Sequence, residues 1–204
     1  MRINKKKFIY LISPNKIYPE FYHDLNQVLK TGKVALFQLR LKKYSLKQKI
    51  VIGKKIQQIC KKNNIKFIVN DDPMLSKTLN ADGCHLGQKD MDIKNARKII
   101  GKKIIGVTCH NSIKLAKAAI KENADYIAFG AFFSTKTKKV IFKADIKILN
   151  KIKKLTKTPI VAIGGINFDN YKKLLLNNAN LLAISSYVWN NKKYKPLETI
   201  VKIK

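Results

Sequence analysis

Eight short apolar runs recur along the chain, separated by stretches in which apolar and polar residues alternate with helical spacing. The runs are Phe8 to Ile12, Val34 to Leu39, Phe67 to Val69, Gly83 to Leu86, Ile104 to Val107, Tyr126 to Phe129, Ile160 to Ile163 and Leu181 to Ile184. Their interiors are nearly continuous hydrophobics, the pattern of strands covered on both faces. Between them, Ile52, Ile56, Ile59 and Cys60, then Ile113, Ala116 and Ile120, then Tyr171, Leu174 and Leu175 each mark one apolar helix face. Strands alternating with amphipathic helices predict βα units around a parallel sheet. Ser45 with Gln48 three residues on forms a capping box, which predicts that the second helix starts there.

Eight strands suit either a closed (β/α)8 TIM barrel or a doubly wound open sheet. The ends of the runs favour the barrel: polar and small residues follow runs two to eight, the rim on which a barrel assembles one site from many loops. No Pro/Gly/Ser-rich linker interrupts residues 1–204, so a single compact α/β barrel domain is expected. The tract from Ala131 to Lys143, rich in Thr and Lys and without a clear period, is the candidate mobile substrate loop.

Composition changes this picture little. The 204 residues include 43 Lys and Arg against 12 Asp and Glu, a net charge of +31. That excess is compatible with nucleic acid, an anionic membrane surface or anionic small molecules. No nucleic-acid-binding motif accompanies it, so lysines coating helix faces are the plainer account and no specific nucleic acid is expected as partner. The apolar run after Lys5, Lys6 and Lys7 is too short for a signal-peptide core, and no stretch approaches a membrane span. Cys60, Cys84 and Cys109 form no CxxC pair and are odd in number, which fits a reducing, cytoplasmic setting. Oligomeric state stays open, a homo-oligomer included.

Candidate chemistry gathers at the strand ends. Gly164-Gly165 after the seventh run and Ser185-Ser186 after the eighth offer small residues with accessible amides where this fold commonly binds phosphate, although a lone Gly-Gly is also an ordinary tight turn. Asn70-Asp71-Asp72 and the segment from His85 to Asp90 place carboxylates on neighbouring loops. Asp71 and Asp90 can therefore meet at one hard cation, or each Asp can cap a helix, as Asp72 before Pro73 is expected to do. Gln38, Arg40 and Lys42 at spacing two share one side of an extended segment, a bidentate fork and a point charge suited to pyrophosphate; in so lysine-rich a chain the pair can equally be solvated surface.

The ordered segments Gln38-Leu39-Arg40-Leu41-Lys42, Asn70-Asp71, Asp82-Gly83-Cys84-His85-Leu86-Gly87-Gln88-Lys89-Asp90, Gly106-Val107-Thr108, Thr135-Lys136-Thr137-Lys138 and Ala162-Ile163-Gly164-Gly165-Ile166 resemble thiamine phosphate synthases, from about Tyr10 to Val188. The step of 19 residues from Asp71 to Asp90 is the most specific part of the match. The resemblance implies a transferase that couples hydroxymethylpyrimidine pyrophosphate to hydroxyethylthiazole phosphate. It further implies that Asp71 and Asp90 hold Mg2+, and that Arg40, Lys42, Asn70 and Lys138 contact the pyrophosphate. By the same resemblance Gln38, His85 and Thr108 line the pyrimidine, while Thr135, Thr137, Gly165, Ser185 and Ser186 receive the thiazole phosphate.

This chain departs from the family pattern at Leu41, Asp72, Thr108, Ala131 and Ser134, where Glu, Arg, Ser, Pro and Pro are common. Thr108 keeps the hydroxyl, and Leu41 points away from Arg40 and Lys42 in an extended segment. Two other readings compete: a thiazole tautomerase of the same superfamily, which would not need the carboxylates and basic pair, and a non-catalytic nucleic-acid-binding protein. Cys109 and His110 are neighbours in sequence and so face opposite ways in a strand, which excludes them as a nucleophile and its base; His110 is expected at a helix start or supporting the site from behind, and His23 at the surface.

Overall fold

The computed structural model describes residues 7–134 and 143–203. Strands β1 (Ile9–Ile12), β2 (Val34–Leu39), β3 (Lys66–Asn70), β4 (Gly83–Leu86), β5 (Ile104–His110), β6 (Tyr126–Phe129), β7 (Ile160–Ile163) and β8 (Leu181–Ile184) close into a barrel in sequence order. All eight pairings are parallel, β1 with β8 included. The closed barrel is the alternative favoured by the sequence, and the open sheet is excluded.

Helices α1 (Phe21–Lys30), α2 (Leu46–Lys62), α3 (Pro73–Thr78), α4 (Ile93–Ile100), α5 (Ile113–Lys121), α6 (Lys147–Lys153), α7 (Tyr171–Leu176), α8 (Ser186–Trp189) and α9 (Pro196–Lys202) complete the described elements. The capping box at the start of α2 is present in both directions, Ser45 to Gln48 and back. Lys33 Nζ, at the foot of β2, donates to the carbonyls of Ile200, Val201 and Ile203 and ties the end of α9 to the barrel. Among the described residues no helix is long and apolar enough to cross a membrane.

Two strands run further than the apolar runs. Strand β3 takes in Lys66 and Asn70, and β5 continues through Thr108, Cys109 and His110, because its ladder to β6 persists as Thr108 opposite Ala128 and His110 opposite Phe129. Hydrophobicity ends before backbone pairing does, so Asn70 of β3 and Thr108 to His110 of β5 belong to paired strand ends at the barrel mouth, while Lys66 starts β3 at its foot.

The apolar side chains divide into two cores. The larger lies between strands and helices and includes Leu11, Phe37, Leu39, Leu41, Cys84, Ile105 and Phe129. The smaller fills the barrel interior with Tyr10, Ile12, Leu36, Ile68, Tyr126, Ala128, Val161, Leu181 and Ala183. The period of two along each strand makes the division: alternate residues face the interior or the helices.

Candidate active site

Basic and acidic groups meet above β2, β3 and β4. Lys42 Nζ stands 3.3 Å from Asp71 Oδ2. The Arg40 backbone N–H donates to Ser13 Oγ at 2.9 Å and its guanidinium to Asn15 Oδ1 at 3.4 Å, and burial lowers the pKa of the guanidinium while the charge of Asp71 opposes that fall. Leu41 between them is buried in the outer core, facing away as expected.

Asp71 sits at φ +65°, a conformation that Asp tolerates better than most side chains, and its backbone N–H donates to the His85 carbonyl at 2.7 Å. Asp90 Oδ2 accepts from the Gly87 backbone N–H at 2.7 Å. A Cβ at Gly87 would lie 2.9 Å from that oxygen, so glycine lets the carboxylate fold down onto its own loop. Burial raises the pKa of Asp90, and the Asp71 carboxylate beside it raises it further, against the Gly87 amide and Lys42. A carboxylate whose ionisation is opposed by a second carboxylate beside it is suited to share a hard divalent cation with that neighbour.

Helix capping falls to other residues. Asp72 accepts from Leu75 N at 2.9 Å and caps α3, while Asp92 accepts from Asn95 N at 2.8 Å and caps α4. Asp71 and Asp90 are thereby free of that duty. Among the described residues no group of three or more His, Cys, Asp or Glu is placed to hold a metal ion, so a cation here would find at most two such side chains among them. A cleft of about 220 Å³ is lined by Lys42, Asn70, Asp71 and Asp72 together with Lys49 of α2. Lys49 escaped the sequence reading because nothing distinguishes it from the other lysines of that helix.

Below this cluster, Gln38, His85 and Thr108 point into the barrel. His85 Nε2 lies 2.8 Å from Thr108 Oγ1 and Nδ1 lies 2.9 Å from the hydroxyl of Tyr126. Burial lowers the His85 pKa to about 4, against the charge of Asp90, so the ring is neutral at pH 7. Gln38 Nε2 reaches the Tyr10 hydroxyl at 2.7 Å. Gln88 on the β4 loop donates to the Thr108 carbonyl. Tyr10, Tyr126 and Gln88 were not singled out from the sequence; the signal for the tyrosines was a hydroxyl inside runs otherwise buried on both faces.

On the other side of the mouth, Gly164 and Gly165 follow β7 at φ +103° and +64°. The chain leaving β6 crosses them: Phe132 N donates to Ile163 O and Phe133 N to Gly164 O, both at 3.1 Å. A Cβ on Gly164 would collide with Ala131, and one on Gly165 with Phe133 and Ser134. Close packing therefore demands these glycines independently of any anion. Ser185 Oγ donates to the Ser13 carbonyl at 3.1 Å, and Ser186 opens the short helix α8 directly after β8. Thr135, Thr137 and Lys138 lie outside the described residues, as does most of the tract expected to form a substrate loop.

Cys109 is fully buried in the outer core and His110 ends β5 at φ +51°, so no Cys/His pair forms. His23 is exposed on α1. A larger groove of about 520 Å³ runs beside Tyr18, Trp189 and Tyr194, and its lining contains none of the predicted site residues.

Three comparisons bear on this site. The family described as Thiamine monophosphate synthase matches residues 9–188. A thiamine-phosphate synthase of Pelagibacter ubique (strain HTCC1062) is 65% identical over 208 residues, covering 100% of both chains, and one of Erythrobacter litoralis (strain HTCC2594) is 40% identical over 187 residues, covering 89% of this chain and 88% of its own. A solved structure of thiamine phosphate pyrophosphorylase from Pyrococcus furiosus superposes with a TM-score of 0.84 at 30% identity, covering 98% of this chain and 94% of that one.

Proposed function

The chain belongs to the thiamine monophosphate synthase family and is a transferase that forms thiamine phosphate, and from that premise we propose how its own residues carry out the coupling. The bond between the pyrimidine methylene and pyrophosphate breaks, both electrons leaving with the oxygen. The thiazole nitrogen then gives its lone pair to the methylene carbon. No proton has to move, so the protein's work is to stabilise the departing charge and to align the nucleophile.

Asp71 and Asp90 would hold Mg2+, and the opposition that the Asp71 carboxylate sets against ionisation of Asp90 supports this, since a cation between them relieves it. When bound, Mg2+ supplies charge neutralisation to the pyrophosphate. Arg40, Lys42, Asn70 and Lys138 contact the pyrophosphate oxygens, the guanidinium as a fork and the amines as point charges. Gln38, His85 and Thr108 receive the pyrimidine. Gly165, Ser185 and Ser186 receive the thiazole phosphate on the far side of the mouth, and Thr135 and Thr137 are assigned to the same phosphate by the family resemblance alone. A cytoplasmic setting suits the three free, buried cysteines.

The observation that carries this reading is the meeting of Lys42, Asp71 and Asp90 from three consecutive strand ends. The test is incubation of the purified protein with both substrates, with Mg2+ and with chelator, and detection of thiamine phosphate by mass. Product that forms equally well under chelator would exclude the metal role. Aromatisation of a thiazole carboxylate without coupling would exclude the whole reading.

A further inference from the structure

Five side chains from β1, β2, β4, β5 and β6 form one hydrogen-bonded chain across the barrel interior. It runs from Gln38 Nε2 to the Tyr10 hydroxyl (2.7 Å), to the Tyr126 hydroxyl (2.8 Å), to His85 Nδ1 (2.9 Å), and from His85 Nε2 to Thr108 Oγ1 (2.8 Å). Tyr10 and Tyr126 are almost wholly inaccessible, Gln38 is 3% exposed and His85 9%. The coupling chemistry assigns neither tyrosine a task.

The chain has a direction, and one atom sets it. An amide nitrogen can only donate, so the Tyr10 oxygen receives from Gln38; a buried hydroxyl proton needs an acceptor, and among the described residues Tyr126 is the one left within reach, so the Tyr10 proton goes to Tyr126. The Tyr126 proton then goes to His85 Nδ1, which leaves the ring proton on Nε2, donated to Thr108 Oγ1. The proton of Thr108 is left over: among the described residues its hydroxyl makes no other hydrogen bond, and Gln38 Oε1 receives none. Burial raises the pKa of both tyrosines and keeps the ring neutral, which this order requires.

We propose that Tyr10 and Tyr126 are positioning residues that transmit the orientation of the Gln38 amide to His85, fix its Nε2–H tautomer, and so present an acceptor at Gln38 and a donor at Thr108. This rests on the assignment of those two residues to the pyrimidine. An aminopyrimidine offers the matching pair, an amino donor and a ring-nitrogen acceptor. Its oxo counterpart offers a carbonyl acceptor and a ring N–H donor, the reverse. The chain is thus a specificity device that selects the amino form, since a reversed substrate leaves buried polar groups opposed.

The test is 15N NMR of histidine-labelled free enzyme at a single pH near neutrality. The sequence has three histidines, and His85 is identified by the signals lost in His85→Gln. The expected wild-type spectrum has His85 protonated on Nε2 and bare on Nδ1. Gln38→Glu keeps the size but can only accept, and it should reverse the chain and move the proton to Nδ1. Tyr126→Phe removes the donor to Nδ1 and should yield a mixture of tautomers; if Gln38→Glu does not fold, this variant and the wild type suffice. In kinetics, Tyr126→Phe should lower kcat/KM for the aminopyrimidine pyrophosphate about tenfold, with KM for the thiazole phosphate unchanged. A wild-type ring protonated on Nδ1, or a tautomer indifferent to Tyr126→Phe, overturns the proposal. If the tautomers respond as expected but Thr108→Ala leaves pyrimidine kinetics untouched, the pyrimidine assignment fails, and the specificity claim with it.

Discussion

Replacing Gly106 with alanine tests whether Tyr126 is held where the hydrogen-bonded chain needs it. Gly106 lies on β5 opposite both His85 and Tyr126, and a Cβ there would fall inside the van der Waals envelope of Cζ, Cε1 and Cε2 of the Tyr126 ring. Gly106 does not adopt a positive φ, so the backbone itself accepts alanine. On unfolded-state entropy alone the change would stabilise by about 0.4–1 kcal/mol. Carbon atoms at rest stand about 3.5–4.0 Å apart, so the ring would have to retreat by more than about 1 Å. Tyr126 is wholly buried, and its bonds of 2.8 and 2.9 Å to Tyr10 and His85 would stretch beyond hydrogen-bonding reach.

Two hydrogen bonds at about 0.5–1.5 kcal/mol each, plus about 1–3 kcal/mol of overpacking, outweigh the entropic gain and leave a net loss of about 1–6 kcal/mol. Urea unfolding measures it as a lower midpoint at constant slope. The added variant Tyr126→Leu removes the colliding ring atoms, so Gly106→Ala with Tyr126→Leu should lose less than the two single changes summed. A Gly106→Ala protein within about 0.5 kcal/mol of wild type, or strict additivity with Tyr126→Leu, would refute the reasoning.

Three further outcomes are expected. Asp71→Asn and Asp90→Asn should each lower turnover about a hundredfold or more while unfolding midpoints stay within about 1 kcal/mol of wild type, as coupling assays across a Mg2+ titration and urea melts will report. Asp72→Ala removes the cap of α3 and should lose about 1 kcal/mol with turnover unchanged, separating that carboxylate from its neighbour Asp71. The folded His85 pKa of about 4 lies below its ordinary 6.5, so between those values the unfolded chain binds the extra proton and stability falls as pH falls. Relative to His85→Gln, wild type should lose up to about 3 kcal/mol across that window and nothing above it, in melts followed by circular dichroism.

The barrel was legible because strands buried on both faces leave uninterrupted apolar runs, and polar residues at their ends indicated one shared rim. The runs understated β5, since the apolar run stops at Val107 although the ladder to β6 continues through Thr108 and His110. The capping box at Ser45 and the cap at Asp72 could be read because capping is local. What escaped was tertiary. Tyr10 and Tyr126 stand 116 residues apart, and no local pattern pairs them. Gly106 stood out only as part of a motif, and its physical reason is an aromatic ring from the next strand. Gly164 and Gly165 were read for phosphate, whereas the chain leaving β6 supplies a packing demand that sequence alone could not reveal.

The two cores explain how the fold carries so much polarity without loss of cohesion. The outer core joins strands to helices with aliphatic and aromatic side chains, each fully buried Leu or Ile contributing about 1.5–3 kcal/mol. The interior core is free to be partly polar because the barrel is already closed around it. None of its fully buried polar atoms is orphaned: among the described residues no buried side-chain nitrogen or oxygen lacks a partner, and the open positions are the Thr108 proton and Gln38 Oε1 at the two ends of the line. A network without orphaned buried atoms avoids their penalty but adds little over well-packed aliphatics of the same shape. Stability alone therefore does not call for Gln38, Tyr10, Tyr126, His85 and Thr108 inside a barrel that valine and isoleucine could fill. What aliphatics could not supply is a neutral, directed line of donors and acceptors beneath Asp71 and Asp90, and that is the property through which the interior serves the rim.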